Sequence, residues 1–155
     1  MPTTSAGLLL YRQTPTGLEV LLVHPGGPFW QRKDLGAWSI PKGEATEGED
    51  LLSAARREFH EETGFAAPEA LIALGHIRQS GGKIVHAWAA RGNVDPGQLR
   101  SNTFDLEWPP GSKRTQHFPE VDKAAWFPLA EARQRIVPAQ AAFLDVLVVE
   151  LKAVL

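Results

Sequence analysis

The chain of 155 residues contains no cysteine, which excludes disulfide bonds and thiolate metal sites. Its net charge of -2 provides no overall positive field, so extended nonspecific contact with long nucleic acid is not expected. Long apolar runs are also missing, because the stretch over residues 141–149 is interrupted by Asp145 and is too short to cross a membrane. The first residues lack the basic leader and long apolar run of a signal peptide. We therefore expect a soluble, cytoplasmic protein with a small-molecule partner and no membrane association, of unknown oligomeric state.

The length and the 43% content of hydrophobic residues suit one domain over residues 1–155 with a substantial core. Apolar runs flanking turn sequences predict hairpins over residues 5–24 and 70–91. Further strands are predicted at 38–40, 102–108 and 121–127, with irregular segments at 24–36 and 109–119. Helices are predicted at 46–63, at 128–136 and from 138 onward. Hairpins mixed with helices, without repeated strand–helix–strand units, predict an α+β domain in which helices cover a mixed sheet.

The first predicted helix carries two separate faces. Leu52, Ala55 and Phe59 fall at helical spacing and form an apolar stripe for the core. Glu58, Glu61 and Glu62 cluster on neighbouring turns away from that stripe, where like charges repel unless a cation neutralises them. Carboxylate oxygens are the ligands that magnesium prefers, so these three glutamates are candidate metal ligands.

The start of this helix allows two interpretations of Glu49. Thr46 followed by Glu49 three residues later is a capping-box pattern, and Gly64 supplies a C-terminal stop. Glu49 is therefore explained either by capping or by a place in the acidic cluster.

The spacing from Gly43 through Glu49, Arg57, Glu58, Glu61, Glu62 and Gly64 resembles the Nudix box of nucleoside-diphosphate-X hydrolases, with Phe59 and Phe65 at its apolar positions. The resemblance implies an α/β/α sandwich with a mixed central sheet and a divalent cofactor, Mg²⁺ (or Mn²⁺). It implies metal ligands at Glu58, Glu61, Glu62 and the backbone carbonyl of Gly43. It also implies a catalytic role for Glu61 and Glu62, with Arg57 orienting the carboxylates.

The general base has more than one candidate. In several branches of the family a glutamate outside the box, in a loop that precedes a strand bearing a tryptophan, activates water. Glu120, six residues before Trp126, occupies a comparable place and is favoured, and Glu107 is the alternative. In other branches the base is a box glutamate, so Glu61 or Glu62 could serve instead.

Substrate contacts must come from outside the box. Lys42 precedes the metal turn directly, and Trp38-Ser39-Ile40-Pro41-Lys42-Gly43 resembles the run in diadenosine polyphosphate hydrolases of the family. Core packing is expected of Trp38 and Trp88, whereas aromatic residues in the early loop are better placed to stack on a base. The predicted substrate-binding residues are Lys42, Phe29, Trp30, Arg32, Lys113 and Arg114.

The resulting expectation is magnesium-dependent hydrolysis of a phosphoanhydride in a nucleoside diphosphate linked to another moiety. The lead-in to the box favours a dinucleoside polyphosphate or a nucleoside triphosphate. One alternative is a non-catalytic module that binds or senses a nucleotide. Another is an RNA-directed enzyme that uses the same chemistry on an RNA end, although the acidic balance disfavours extensive RNA contact.

Overall fold

A computed structural model describes residues 3–154 of the chain. The chain begins with a hairpin of β1 and β2 and enters helix α1 after the short strand β3. The strands are β1 (Thr4–Thr14), β2 (Gly17–Pro25), β3 (Lys42–Glu44), β4 (Ile72–Arg78), β5 (Ile84–Arg91), β6 (Thr103–Glu107), β7 (Thr115–Pro119) and β8 (Val121–Pro128). The helices are α1 (Leu51–Thr63), α2 (Leu129–Arg135) and α3 (Ala141–Val154), and single 3₁₀ turns occur at Ser80–Gly82, Pro96–Gln98 and Pro138–Gln140.

The central sheet is mixed. Its order is β4-β5-β1-β2-β8, and β3 pairs with the beginning of β1. The β1 and β5 strands run parallel, while the other pairs are antiparallel. The hairpin of β6 and β7 forms a separate two-stranded sheet between β5 and β8 in the sequence.

Helices cover both faces of the central sheet because β1 and β2 are apolar on both sides. Leu8 and Leu10 pack with Phe59 of α1 on one face. On the other face, Leu9 packs in the cluster that includes Phe143 of α3, together with residues of α2. Each successive residue of a strand points to the opposite face, so the continuous apolar run of β1 fills both cores. This arrangement is the predicted α/β/α sandwich around a mixed sheet.

The structure confirms both predicted hairpins of the central sheet, the strands near 102–108 and 121–127, and the predicted α+β class. The segment over residues 109–119 was predicted as an irregular loop and instead contains β7, which pairs with β6 in a register from Thr103↔Pro119 to Glu107↔Thr115. Its mostly exposed, polar residues give no alternating pattern, so pairing with β6 decides its structure.

Two boundaries were also predicted incorrectly. The predicted strand at 38–40 makes only isolated bridges, through Trp38 and Ser39, and the strand lies immediately afterwards at Lys42–Glu44. Helix α1 begins at Leu51 rather than at Thr46, because Asp50 is its N-cap and accepts a hydrogen bond from the Ser53 backbone N–H. Within residues 3–154, no helix combines the length and apolar character needed to cross a membrane.

Candidate functional site

Helix α1 positions the acidic cluster by burying its opposite side. Ala54, Ala55 and Phe59 have no exposed surface, which fixes the rotation of the helix against the sheet. Gly64 ends the helix with a left-handed φ of 79°, and its N–H donates to the His60 carbonyl. The glutamates three and four residues apart are therefore held on the side of the helix that faces β3.

Arg57 lies at the centre of the acidic residues. Its guanidinium donates to both carboxylate oxygens of Glu49 at 2.9 and 3.0 Å, to Glu58 at 2.8 Å and to Glu61 at 3.1 and 3.2 Å. Its remaining donor contacts the carbonyl of Glu44 at 3.2 Å. Bonds to Glu49, followed by those to the other carboxylates, raise the pKa of Arg57 above its ordinary value. Arg57 thus bonds to three carboxylates at once and brings a positive charge among them.

Glu49 belongs to this charged network and does not cap the helix. Its carboxylate binds Arg57 and also accepts the backbone N–H of Thr46 at 3.0 Å, which closes the turn before α1. These contacts lower the pKa of Glu49 to about 2, with the Arg57 bonds as the largest cause. The capping-box interpretation is therefore replaced by a turn in which Glu49 connects Thr46 to Arg57.

A polar cavity of about 400 Å³ lies between β3, the acidic side of α1 and the segment that follows β7. Its lining contains an excess of carboxylates over ammonium groups. The lining residues are Lys42, Gly43, Glu44, Glu58, Glu62, Lys83, Asn102 and Glu120. This cavity brings together four predicted site residues of the box and its lead-in with the favoured base, Glu120.

The contact between Gly43 and Glu58 shows why a glycine is needed at this turn. A Cβ atom added to Gly43 would lie 2.0 Å from a carboxylate oxygen of Glu58 and 2.1 Å from its Cδ, far inside van der Waals contact. Glu58 is 12% exposed, and burial raises its pKa even though Arg57 opposes the shift. A carboxylate thus lies tightly against a bare backbone segment, which is a suitable donor set for a hard cation.

The divalent cation implied by the resemblance fits these residues in charge and in donor chemistry. Glu58, Glu62 and the backbone of Gly43 line one cavity, whereas Glu61 is 38% exposed, bonds to Arg57 and lies outside the lining. Among the described residues, no three acidic or histidine side chains converge in a ready-made metal cluster. Cation binding by all three predicted glutamates therefore requires Glu61 to turn away from Arg57.

Lys42 and Glu62 form the most buried charged pair of the cavity. The backbone N–H of Lys42 donates to Glu62 at 3.3 Å. Burial raises the pKa of Glu62, although the charge of Lys42 opposes this. Burial and the charge of the nearby Lys83 lower the pKa of Lys42. A cation beside Glu62 and an anion beside Lys42 would each favour the charged form that burial penalises.

Glu120 also lines a second, smaller cavity that adjoins the first. This cavity has a volume of about 170 Å³, shares Lys42, Glu62 and Glu120 with the larger one, and has apolar walls that include Ile40 and Val121. The backbone of Glu120 is fixed on both sides, since its N–H donates to the Asn102 carbonyl and its carbonyl accepts the N–H of Gly26, each at 2.9 Å. The favoured base thus faces both cavities from a well-ordered segment.

The alternative base and two predicted substrate residues lie elsewhere. Glu107 is at the far end of the β6–β7 hairpin, where its carboxylate accepts the Lys113 backbone N–H at 2.9 Å. Lys113 and Arg114 lie in the turn beyond the Glu107↔Thr115 pair, which is itself four residues, or roughly 13 Å at the usual rise per residue, from the Thr103↔Pro119 pair at the cavity end. The structure therefore does not bring Glu107, Lys113 or Arg114 together with Glu58 and Glu62 in the cavity.

The early loop presents its aromatic residues at the surface, as the sequence predicts. Phe29 is 60% exposed and contacts the ring of Trp108 edge-on at 5.3 Å, and Trp30 is 39% exposed beneath the ammonium group of Lys33. Arg32 is exposed as well. By contrast, Trp38 is buried in the core, which confirms the packing expected for it.

Three polar residues of the cavity, Glu44, Lys83 and Asn102, were not predicted from the sequence. Lys83 reaches the cavity because the parallel pairing of β1 with β5 places the beginning of β5 beside the beginning of β1, and a pairing between strands so distant in sequence has no local signal. Asn102 lies at the cavity through the hydrogen bond between its N–H and the Glu61 carbonyl at 2.8 Å.

Comparison with known proteins decides the family. The sequence-family model described as the NUDIX domain matches residues 1–147 of the chain. The chain belongs to the NUDIX family. The resemblance of residues 43–65 to the Nudix box is thereby confirmed.

The relatives of this NUDIX protein carry different substrate names. An RNA pyrophosphohydrolase of Rhizobium meliloti (strain 1021) is 33% identical over 116 residues, which cover 65% of this chain and 64% of that protein. An 8-oxo-(d)GTP phosphatase of Mycolicibacterium smegmatis is 30% identical over 143 residues, 85% of this chain and 37% of that protein. The chain thus spans less than two thirds of the length of the curated relatives it matches first.

Among solved structures, an Ap4A hydrolase of C. elegans in a binary complex superposes with a TM-score of 0.64. It is 25% identical, and the alignment covers 97% of this chain and 98% of that one. The likeness extends over the sheet and the helices on both of its faces, so the predicted sandwich fold is confirmed.

Proposed function

We propose that the protein hydrolyses a phosphoanhydride bond in a nucleotide with the help of Mg²⁺ or Mn²⁺. The observation that carries the proposal is one cavity lined by Glu58, Glu62 and the Gly43 backbone together with Lys42 and Lys83, while Glu120 lines both this cavity and the smaller one. The carboxylates suit a cation, and the ammonium groups suit phosphate oxygens.

The reaction adds one water across a P–O–P bridge. The water oxygen forms a bond to one phosphorus, the bridging P–O bond breaks, and its electron pair remains on the departing phosphate. When bound, a divalent cation would neutralise phosphate oxygens and acidify the water. Glu120 is the favoured acceptor of the proton that the attacking water loses. Lys42 binds the negatively charged phosphates, and Arg57 orients Glu58 and Glu61.

A dinucleoside polyphosphate or a nucleoside triphosphate is the favoured substrate. The lead-in over residues 38–43 supports the first of these, and so does the similarity to an Ap4A hydrolase. The similarity to an 8-oxo-(d)GTP phosphatase supports the second. The similarity to an RNA pyrophosphohydrolase keeps an RNA end as a further candidate, since the same bond type occurs there.

The test is a substrate panel with product identification in isotopically labelled water. The panel contains Ap4A, 8-oxo-dGTP and RNA with a 5′ triphosphate, each with Mg²⁺, with Mn²⁺ and with chelator. We expect metal-dependent cleavage of at least one compound, with the label in the phosphate that water attacked. Glu62→Gln and Glu61→Gln should each lower the rate by several powers of ten, since general acid–base and metal-ligand roles together exceed about 10³-fold.

Glu69→Gln is the matched control, because the side chain of Glu69 is exposed and lies outside both cavities. Full activity in both the Glu61 and Glu62 variants would contradict the mechanism. Tight binding of a nucleotide without cleavage of any compound would favour the alternative, a non-catalytic binding or sensing module.

A further inference from the structure

The loop over residues 26–36, called the substrate loop here, carries Phe29, Trp30 and Arg32. Two of its hydrogen bonds, Trp30 N–H to the Gly27 carbonyl and Lys33 N–H to the Trp30 carbonyl, lie within the loop. Its two ends are fixed by backbone N–H groups, since Gly26 donates to Glu120 immediately before β8 and Gly36 donates to Gln134 of α2. Between these ends, the Lys33 carbonyl makes a further contact with the body of the protein.

His24 holds that carbonyl from inside the protein. The ring is 1% exposed, its Nε2 lies 2.6 Å from the Lys33 carbonyl oxygen, and its Nδ1 lies 2.9 Å from Oδ1 of Asp122 on β8. Neither a carbonyl oxygen nor a carboxylate can donate a hydrogen bond. Both bonds can therefore form together only if both ring nitrogens carry protons, as in an imidazolium ion.

The surroundings of the ring contain charges of both signs. The ring meets Trp38 edge-on at 5.2 Å, and the Trp38 indole N–H donates to Asp34 at 2.7 Å. The charged groups that face this unit are Asp122 and Lys123 of β8, Lys33 and Asp34 of the substrate loop, and Arg135 of α2, which pairs with Asp34. Among these, Asp122 is the acid in direct contact with the ring.

We propose that His24, as a buried imidazolium, is a positioning residue for the substrate loop, linking the Lys33 carbonyl to Asp122 and so fixing the aromatic residues that meet the substrate. A neutral ring keeps only one N–H and must give up one of the two bonds. The proposal rests on the proposed function only in the claim that the loop contacts substrate.

The decisive variant is Asp122→Asn. An asparagine amide can donate to Nδ1, so a neutral His24 ring can keep both of its bonds in this variant. Ring ¹⁵N chemical shifts near neutral pH should show two protonated nitrogens for His24 in the wild type and one in Asp122→Asn. A neutral His24 ring in the wild type would overturn the proposal.

Loop order provides a readout that needs no substrate. As pH rises and the ring loses its proton, amides of residues 29–33 should exchange about tenfold faster in the wild type after correction for intrinsic exchange, as expected for the loss of one charge-assisted hydrogen bond. The Asp122→Asn variant should lack this rise. Equal pH responses in the two proteins would contradict the proposal.

Kinetics then separates positioning from a purely structural role. For the best substrate of the panel, His24→Gln should raise KM about tenfold and leave kcat near the wild-type value, because Phe29, Trp30 and Arg32 line neither of the two cavities that hold the acidic residues. A fall in kcat at unchanged KM would refute the positioning role. If the wild type cleaves nothing, the proposed function fails, while the ring shifts and amide exchange still decide the role of His24.

Discussion

Replacing Gly43 by alanine should damage metal binding while leaving the fold intact. The new methyl group would lie 2.0 Å from a carboxylate oxygen of Glu58, whereas ordinary contacts begin near 3.4 Å, so this carboxylate must retreat by well over 1 Å. The Gly43 backbone has no left-handed φ, so alanine introduces no backbone strain there. The clash involves the far end of a flexible side chain, and the helix itself does not need to move.

The expected loss follows from this displacement. A ligand-shell change of this kind lowers metal affinity by about 10–100-fold, and misplacing a reacting group by about 1 Å lowers rates by about 10²-fold. Calorimetric titration with Mg²⁺ and Mn²⁺ measures the affinity, and urea unfolding without metal measures the free energy of unfolding. We expect the affinity to fall and the free energy of unfolding to stay within about 1 kcal/mol of the wild-type value.

Two further variants decide whether the effect passes through Glu58. In a Glu58→Ala background the methyl group meets no carboxylate, so adding Gly43→Ala should change metal affinity little. Gly97→Ala is the control, because its added Cβ would lie 3.2 Å from the Asp95 side chain, a close contact like that at Gly43 but less severe, and Gly97 lines neither cavity. Wild-type metal affinity in Gly43→Ala, or additive losses in the double variant, would refute the reasoning.

Two other predictions concern the remaining carboxylates. Glu120→Gln should lower kcat by about 10²–10⁴-fold, whereas Glu107→Gln at the far end of the hairpin should leave kcat unchanged. Equal effects of the two substitutions in steady-state assays would favour a glutamate of the Nudix box as the base. Arg57 lowers the pKa of Glu49 from 4.5 to about 2. The ion pair between the two residues therefore stabilises the fold fully at pH values above 4.5, and this stabilisation is lost as the pH falls to about 2. Urea unfolding at a series of pH values should show a lower free energy of unfolding for Glu49→Gln than for the wild type near neutral pH, and the two values should converge near pH 2. A difference that does not change with pH would contradict an origin in the ionised carboxylate.

The sequence predicts most of the acidic side of the site because helical spacing is a local property. Glu58 and Glu62 are one turn apart, and the apolar stripe that ends in Phe59 determines which way they point. The same reasoning failed at the beginning of the helix, because Thr46 and Asp50 both carry side chains that can cap, and only packing shows which of them does. Local chemistry alone does not separate these two candidates.

Residues that reach the cavity through long-range pairing could not be predicted. Lys83 depends on the parallel pairing of β1 with β5, and Asn102 depends on a backbone bond to Glu61. Lys113 and Arg114 were instead predicted to lie near the cavity, because their polar segment was interpreted as an irregular loop. The pairing of β6 with β7 instead carries them to the far end of a hairpin.

The charges of the larger cavity bear on the order in which its ligands bind. Four carboxylates, from Glu44, Glu58, Glu62 and Glu120, face the ammonium groups of Lys42 and Lys83, which leaves an acidic excess in a partly buried space. A phosphate chain entering alone would add negative charge to that excess, and the attraction of two ammonium groups would be opposed at close range. Charges balance only when a cation and the phosphates are present together. Nucleotide binding in chelator should therefore be weak even though both ammonium groups are available.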